Sequence, residues 1–179
     1  MQKLNYCIAL GGVLSSLSIF AMFLTGVFPV FYLVIPMICS LLVTIMMKET
    51  SLYWGFIMYL AISILSLFVT PNKDAPLIYL FFFGHYPLIR HFISKLHLKP
   101  LIGLIKLIIF NACILLYFAF TVYLLGMEEL LEEMEEFGKY AAYILLGSAN
   151  IMFISYDICL SSGLIIYEKK LRPKIFPSK

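Results

Sequence analysis

Charge is what this sequence has least of. Asp, Glu, Lys and Arg make up 13% of its 179 residues, against roughly 25% in a soluble domain. Hydrophobic residues make up 63%, and a soluble fold of this length could not hide so much apolar surface. Lipid is therefore the expected solvent. Catalytic signatures are missing too. There is no Walker motif, no HExxH, no GxSxG and no His/Cys cluster at zinc-ligand spacing. "GSAN" at 147–150 has no histidine matched to it in a hydrolase pattern. An enzyme is not expected, nor a metal, a cofactor or a nucleic-acid partner. No small-residue cleavage site follows the first apolar run, which leads straight into others, so it does not read as a removed signal. The four cysteines, Cys7, Cys39, Cys113 and Cys159, all lie inside apolar segments and read as small packing residues. With no linker and no internal repeat, residues 1–179 read as one domain.

What is present is a series of apolar segments long enough to cross the hydrocarbon, which takes about 20 helical residues. Six are expected, at 5–25, 28–46, 52–70, 76–95, 102–126 and 140–167, which makes the chain an all-α bundle. The breaks carry their own punctuation: Gly26 and Pro29, Lys48 to Ser51, Thr70 to Asp74, Lys95 to Pro100, then "MEELLEEMEEFGK". In that last stretch Met127, Leu130, Leu131, Met134 and Phe137 fall on one helical face and six glutamates on the rest. A short amphipathic helix is expected there, between the fifth and sixth spans. It reads either as a solvated connector or as a lid or cation-collecting mouth.

The basic residues orient the bundle. Six spans place both termini and the second and fourth connections on one side. That side holds Lys3, Lys48, Arg90, Lys95, Lys99, Lys106, Lys169, Lys170, Arg172, Lys174 and Lys179, 11 of the 13. By the positive-inside rule both termini are cytoplasmic and the glutamate-rich stretch is outside.

Polar groups inside the spans are the candidates for function. At ~1.5 Å per residue, His85, Asn111 and Asn150 fall near the midplane, while Arg90 and Asp157 lie deeper and at matching depth. A charge there costs a few kcal/mol and must face the interior and pair, so Arg90 and Asp157 are expected to bond. Gly147, Asn150, Ile154, Asp157 and Ser161 trace one face of the last span, and Tyr79, Phe83, Tyr86 and Arg90 one face of the fourth. In "FFFGHYPLIRHF", residues 81–92, Pro87 withholds an N–H and leaves the carbonyl of Phe83 needing another partner, which predicts a kink. Two readings stay open for these groups, a structural clamp with interhelical glue or the floor of a binding site. His91 and His97 read as interfacial. On the first span, "ALGGVLSSLS" pairs Gly11 with Ser15 and Gly12 with Ser16. Such small-residue pairs admit another helix closely, either within the monomer or from a separate membrane protein.

Six short helices, ~180 residues, both termini inside and a small-residue face on the cytoplasmic half of the first helix resemble the S components of energy-coupling factor transporters. The usual A-x-x-x-A of that family is replaced here by Ala9 followed by Val13, with the Gly/Ser pairs standing in. The resemblance implies a bacterial plasma-membrane subunit that captures a vitamin or other small nutrient. It would then dock through Gly11, Gly12, Ser15 and Ser16 onto a transmembrane coupling protein carrying ATPase subunits. It implies a ligand in the outer half of the bundle, with Lys73 and Tyr79 near the entrance and His85, Asn111 and Asn150 as the polar floor. Tyr117 and Phe118 would be walls, and Arg90 and Asp157 the scaffold beneath. Two other readings are a ligand-free accessory membrane protein and a small proton- or ion-coupled carrier relaying through Asp157 and His85.

Overall fold

A computed structural model describes residues 2–95, 99–124 and 140–175, and every regular element among them is helical. In chain order these are α1 (Gln2–Leu24), a 3-10 turn (Pro29–Phe31), α2 (Val34–Glu49), α3 (Leu52–Val69) and α4 (Asp74–Ile78). A π-helical turn (Tyr79–Phe83) then leads to α5 (Tyr86–Ile93), and α6 (Lys99–Ala119) runs into a second π turn (Phe120–Leu124). Finally α7 (Ala141–Ile166) passes through a third π turn (Tyr167–Leu171) into α8 (Arg172–Ile175).

Among the described residues, four helical stretches are long and apolar enough to cross a membrane: Leu4–Leu24, Leu52–Val69, Leu101–Val122 and Tyr143–Lys174. They coincide with the first, third, fifth and sixth expected spans. The second and fourth are helical but do not qualify alone, for two different reasons. α2 has 16 residues, about 24 Å of rise against a ~30 Å hydrocarbon core, and its upstream part is taken by the 3-10 turn at Pro29. The fourth is divided among α4, a π turn and α5. The glutamate-rich segment 127–139, expected to be a surface helix, and His97 lie outside the described residues.

The long helices carry apolar side chains outward. On α1, Leu4, Ile8, Val13, Leu17 and Phe20 are each more than half exposed, as are Leu104, Ile108, Leu115 and Leu116 on α6. A soluble protein does not expose such surface, but a lipid-facing one must.

The chain forms two compact units, Met1–Phe92 with Leu160–Lys179, and Ile93–Cys159. In the first, α1, α2 and α3 pack against one another, and the α4–π segment packs on α2 and α3. Its interior holds Met22, Cys39, Val43, Met46, Ile62, Tyr79, Phe83 and Tyr86. Hydroxyls accompany them: Ser18, Thr25, Ser40, Thr44, Ser63, Ser66 and Thr70 are all buried. Five of these satisfy themselves on their own helix, Ser18 on Leu14 O, Thr25 on Met22 O, Ser40 on Met37 O, Thr44 on Ser40 O and Ser66 on Ser63 O. That local bond is the usual solution where no water reaches. In the second unit α6 and the 141–159 part of α7 face each other in antiparallel register.

Candidate functional site

The fourth segment breaks where the sequence concentrates its chemistry, and the backbone shows how. Gly84 N–H donates to Tyr79 O at 2.7 Å, five residues back. An α-helix would send that N–H to Leu80 O, so the wider turn frees the Leu80 carbonyl. Tyr59 Oη, from α3, donates to it at 3.0 Å, and His85 Nδ1 lies 3.3 Å from the same oxygen. The contact with His85 is a hydrogen bond in the Nδ1–H tautomer, which makes Nε2 an acceptor. Gly84 is required by space. A Cβ there would overlap the Tyr59 ring and sit 2.8 Å from Tyr79 Cε1. The three rings cluster around this glycine, with Tyr59 centred 6.1 Å from both Tyr79 and His85. Tyr79, Phe83 and Tyr86 are buried as the shared-face reading expected. The kink was expected from Pro87 and the Phe83 carbonyl; the carbonyl that α3 and His85 visibly serve is that of Leu80, one turn earlier.

Two α3 residues belong to the same neighbourhood and were missed by the sequence reading. Tyr59 is one of 12 tyrosines in the sequence. Ser63, one turn along the same buried face, carries a hydroxyl with no hydrogen-bond partner among the described residues, as does Thr70 two turns further on. The signal was available: Tyr59, Ser63, Ser66 and Thr70 follow a 4-3-4 spacing, one polar face of an apolar helix.

Asn111 and Asn150, expected at the same depth, are brought together. Asn111 Nδ2 donates to Asn150 Oδ1 at 3.0 Å, and Asn150 Nδ2 donates to Asn111 Oδ1 at 3.1 Å. Each Nδ2 also reaches its own helix, on Leu107 O at 2.8 Å and Leu146 O at 2.7 Å. Both donors of both amides are thereby spent. Below them Phe110 and Phe153 stack at 4.5 Å and 11°, and then Lys106 Nζ meets Asp157 Oδ2 at 2.7 Å. The α6–α7 pair is thus joined by an amide rung, an aromatic rung and an ionic rung in one register. Phe153, rather than the half-exposed Ile154, continues the inward stripe of α7.

Lys106 was read as one of the basic residues of the cytoplasmic rim. Its long stem instead lets it turn inward to Asp157. Arg90 and Asp157, expected as a pair, belong to different units, and each has a partner in its own: Arg90 Nη2 donates to Ser161 Oγ at 2.6 Å. Lys73, expected at a site entrance, caps α3. Its Nζ donates to Leu67 O and Thr70 O, each at 2.8 Å, which satisfies orphan carbonyls and places a cation at the negative end of the helix.

The two small-residue pairs of α1 separate. Gly11 and Ser15 are half-buried, and a Cβ on Gly11 would meet Met46 Cε at 3.2 Å. Gly12 and Ser16 are exposed, and a Cβ on Gly12 would meet nothing within 4 Å.

At the far end of α2, Glu49 Oε1 accepts from Tyr167 Oη at 3.1 Å and from Arg172 Nε at 2.8 Å. Lys48 pairs with Glu168 at 2.9 Å. The second connection and the C-terminal segment therefore share one end of their unit. No group of three or more His, Cys, Asp or Glu among the described residues could hold a metal ion.

Together these features describe a chain that, among the described residues, is helical in every regular element, with four helices suited to the bilayer by length and composition. No family model, no curated protein and no solved structure matches the chain.

Proposed function

We propose that the chain is a substrate-capture membrane subunit for a small nutrient, working with a separate ATP-driven coupling module. Six segments cross the bilayer in this reading. The 3-10 turn lengthens α2, and α4, the π turn and α5 together make the fourth crossing. Both termini lie in the cytoplasm of a bacterial cell, and residues 127–139 form the outer surface helix. The observation that carries the reading is the break at Tyr79–His85, where a carbonyl leaves the helical ladder and is held by Tyr59 and His85. Non-helical backbone at membrane depth is tolerated where it is buried in protein or lines a cavity, and membrane uptake proteins place their sites at such discontinuities. The site is centred on Tyr59, Ser63, Tyr79 and His85 rather than on the asparagines. Aromatic faces and a few neutral polar groups suit a small, largely apolar solute with hydrogen-bonding groups. Gly12 and Ser16 offer the smooth face on which a coupling protein's helix could lie.

A second reading has its own support. The Asn111–Asn150 and Lys106–Asp157 rungs spend their groups on each other, which is what an accessory protein with no ligand needs. Arg90 paired with Asp157 as a scaffold belongs to the first reading.

The test is mass spectrometry of the purified protein for a retained small molecule and for ATPase subunits. Capture predicts a compound that raises the unfolding temperature of the wild type and is lost from Tyr59→Phe and His85→Ala while these stay folded. A protein that is empty, and unmoved by a panel of vitamins, would leave the accessory reading standing.

A further inference from the structure

The last helix carries a ruler for the bilayer. Ile144, Ile151, Ile158 and Ile165 recur every seventh residue of α7, each more than half exposed. From Ile144 to Ile165 the rise is about 31 Å, the thickness of the hydrocarbon core. Tyr140 and Tyr143, both exposed, stand at the start of this stripe, where interfacial aromatics belong. Beyond Ile165 come Lys169, Lys170, Arg172 and Lys174, all exposed, four to nine residues past the stripe and so about 6–13 Å beyond the hydrocarbon edge. The headgroup layer is about 5–8 Å deep on each side, so Lys169 and Lys170 stand at its level and Arg172 and Lys174 just beyond it, within reach of long side chains and about one Debye length of the surface.

The carboxylates at this end are already committed. Glu49 is held by Tyr167 and Arg172, and Glu168 by Lys48. Lys169, Lys170 and Lys174 have no ion-pair partner among the described residues. The segment is also fixed in place. A π turn brings residues five apart onto one side of the helix, so Tyr167 and Arg172 reach the same Glu49 oxygen and tie the basic end to α2.

We propose that the end of α7 with α8, through Lys169, Lys170 and Lys174, is a docking surface for anionic phospholipid headgroups. The phosphates supply the ion pairing that the described residues leave open, and the Glu49 tie holds the lysines at their level. The inference does not rest on the capture reading, because it needs neither a solute nor a coupling partner.

The experiment titrates the full-length protein in neutral detergent with phosphatidylglycerol or phosphatidylcholine and counts bound lipids by native mass spectrometry. Each lysine near an anionic surface contributes about fivefold in affinity, so phosphatidylglycerol should be preferred by more than tenfold, the preference shrinking as salt rises. Changing Lys169, Lys170 and Lys174 together to Gln should bring the two lipids to parity, and changing them to Arg should keep the preference. Circular dichroism with phosphatidylcholine checks that all variants are equally folded. Equal binding of the two lipids by the wild type would overturn the proposal. So would a preference that survives the Gln variant, or displacement of the lipid by millimolar inorganic phosphate.

Discussion

Truncating Asn111 to Ala removes both bonds of its amide pair with Asn150, and the consequence can be worked out bond by bond. Asn150 keeps its tie to Leu146 O but loses a donor to its Oδ1 and an acceptor for its Nδ2. Interhelical side-chain hydrogen bonds in membranes average ~0.6 kcal/mol, so the pair is worth about 1.2 kcal/mol. Asn150→Ala breaks the same two bonds and should cost the same. The double variant has nothing further to lose there, so it should also cost about 1.2 kcal/mol instead of the ~2.4 kcal/mol that independent sites would give. Reversible unfolding in mixed detergent micelles, followed by helical circular dichroism, measures all four corners of the cycle. If the double loss equals the sum of the single losses, the amides do not bond each other and the α6–α7 register described above is wrong.

Lys106→Met removes the ammonium that meets Asp157 at 2.7 Å and should cost up to about 3 kcal/mol, with Lys106→Met/Asp157→Leu recovering part of the loss; the same unfolding assay reads it, and additive losses would refute the pair. Gly84→Ala forces a methyl against the rings of Tyr59 and Tyr79 and should destabilise by ~1–3 kcal/mol, whereas Gly12→Ala, with open space around it, should be close to neutral in the isolated protein. Cysteines placed at Lys3, Lys174 and Glu132 in a cysteine-free background should react with an impermeant reagent on intact cells only at position 132. Labelling at the two terminal positions would invert the proposed topology.

The periodicity and length of the apolar runs made the all-helical character legible, along with the first, third, fifth and sixth long helices. Short-range signals served in part: Pro87 pointed to a break in the fourth span, although the carbonyl set free is that of Leu80 rather than Phe83, and Asn111 and Asn150 were matched by simple counting of depth. Depth, however, is one coordinate of three. It could not tell that Lys106, assigned to the rim by its charge, has a stem long enough to reach Asp157. Lys73 was read by its position at a mouth when the nearest unmet need was the carbonyls of its own preceding helix. Tyr59 and Ser63 escaped notice because a polar face made of one tyrosine and several hydroxyls hardly lowers the hydropathy of its helix.

The π turn at Tyr167–Leu171 makes the C-terminal arm sensitive to length rather than to chemistry. In a plain α-helix residues 167 and 172 would point about 140° apart, and one of them would turn away from Glu49. Gaining a single residue within 168–171 would set Tyr167 and Arg172 six positions apart, about 120° from each other in an ordinary helix, and present the lysines in a new direction. Substitutions in these four positions, whatever they do to the charges, would leave the direction of the arm unchanged. Over evolutionary time, the arm would tolerate drift in spelling far better than a one-codon change in count.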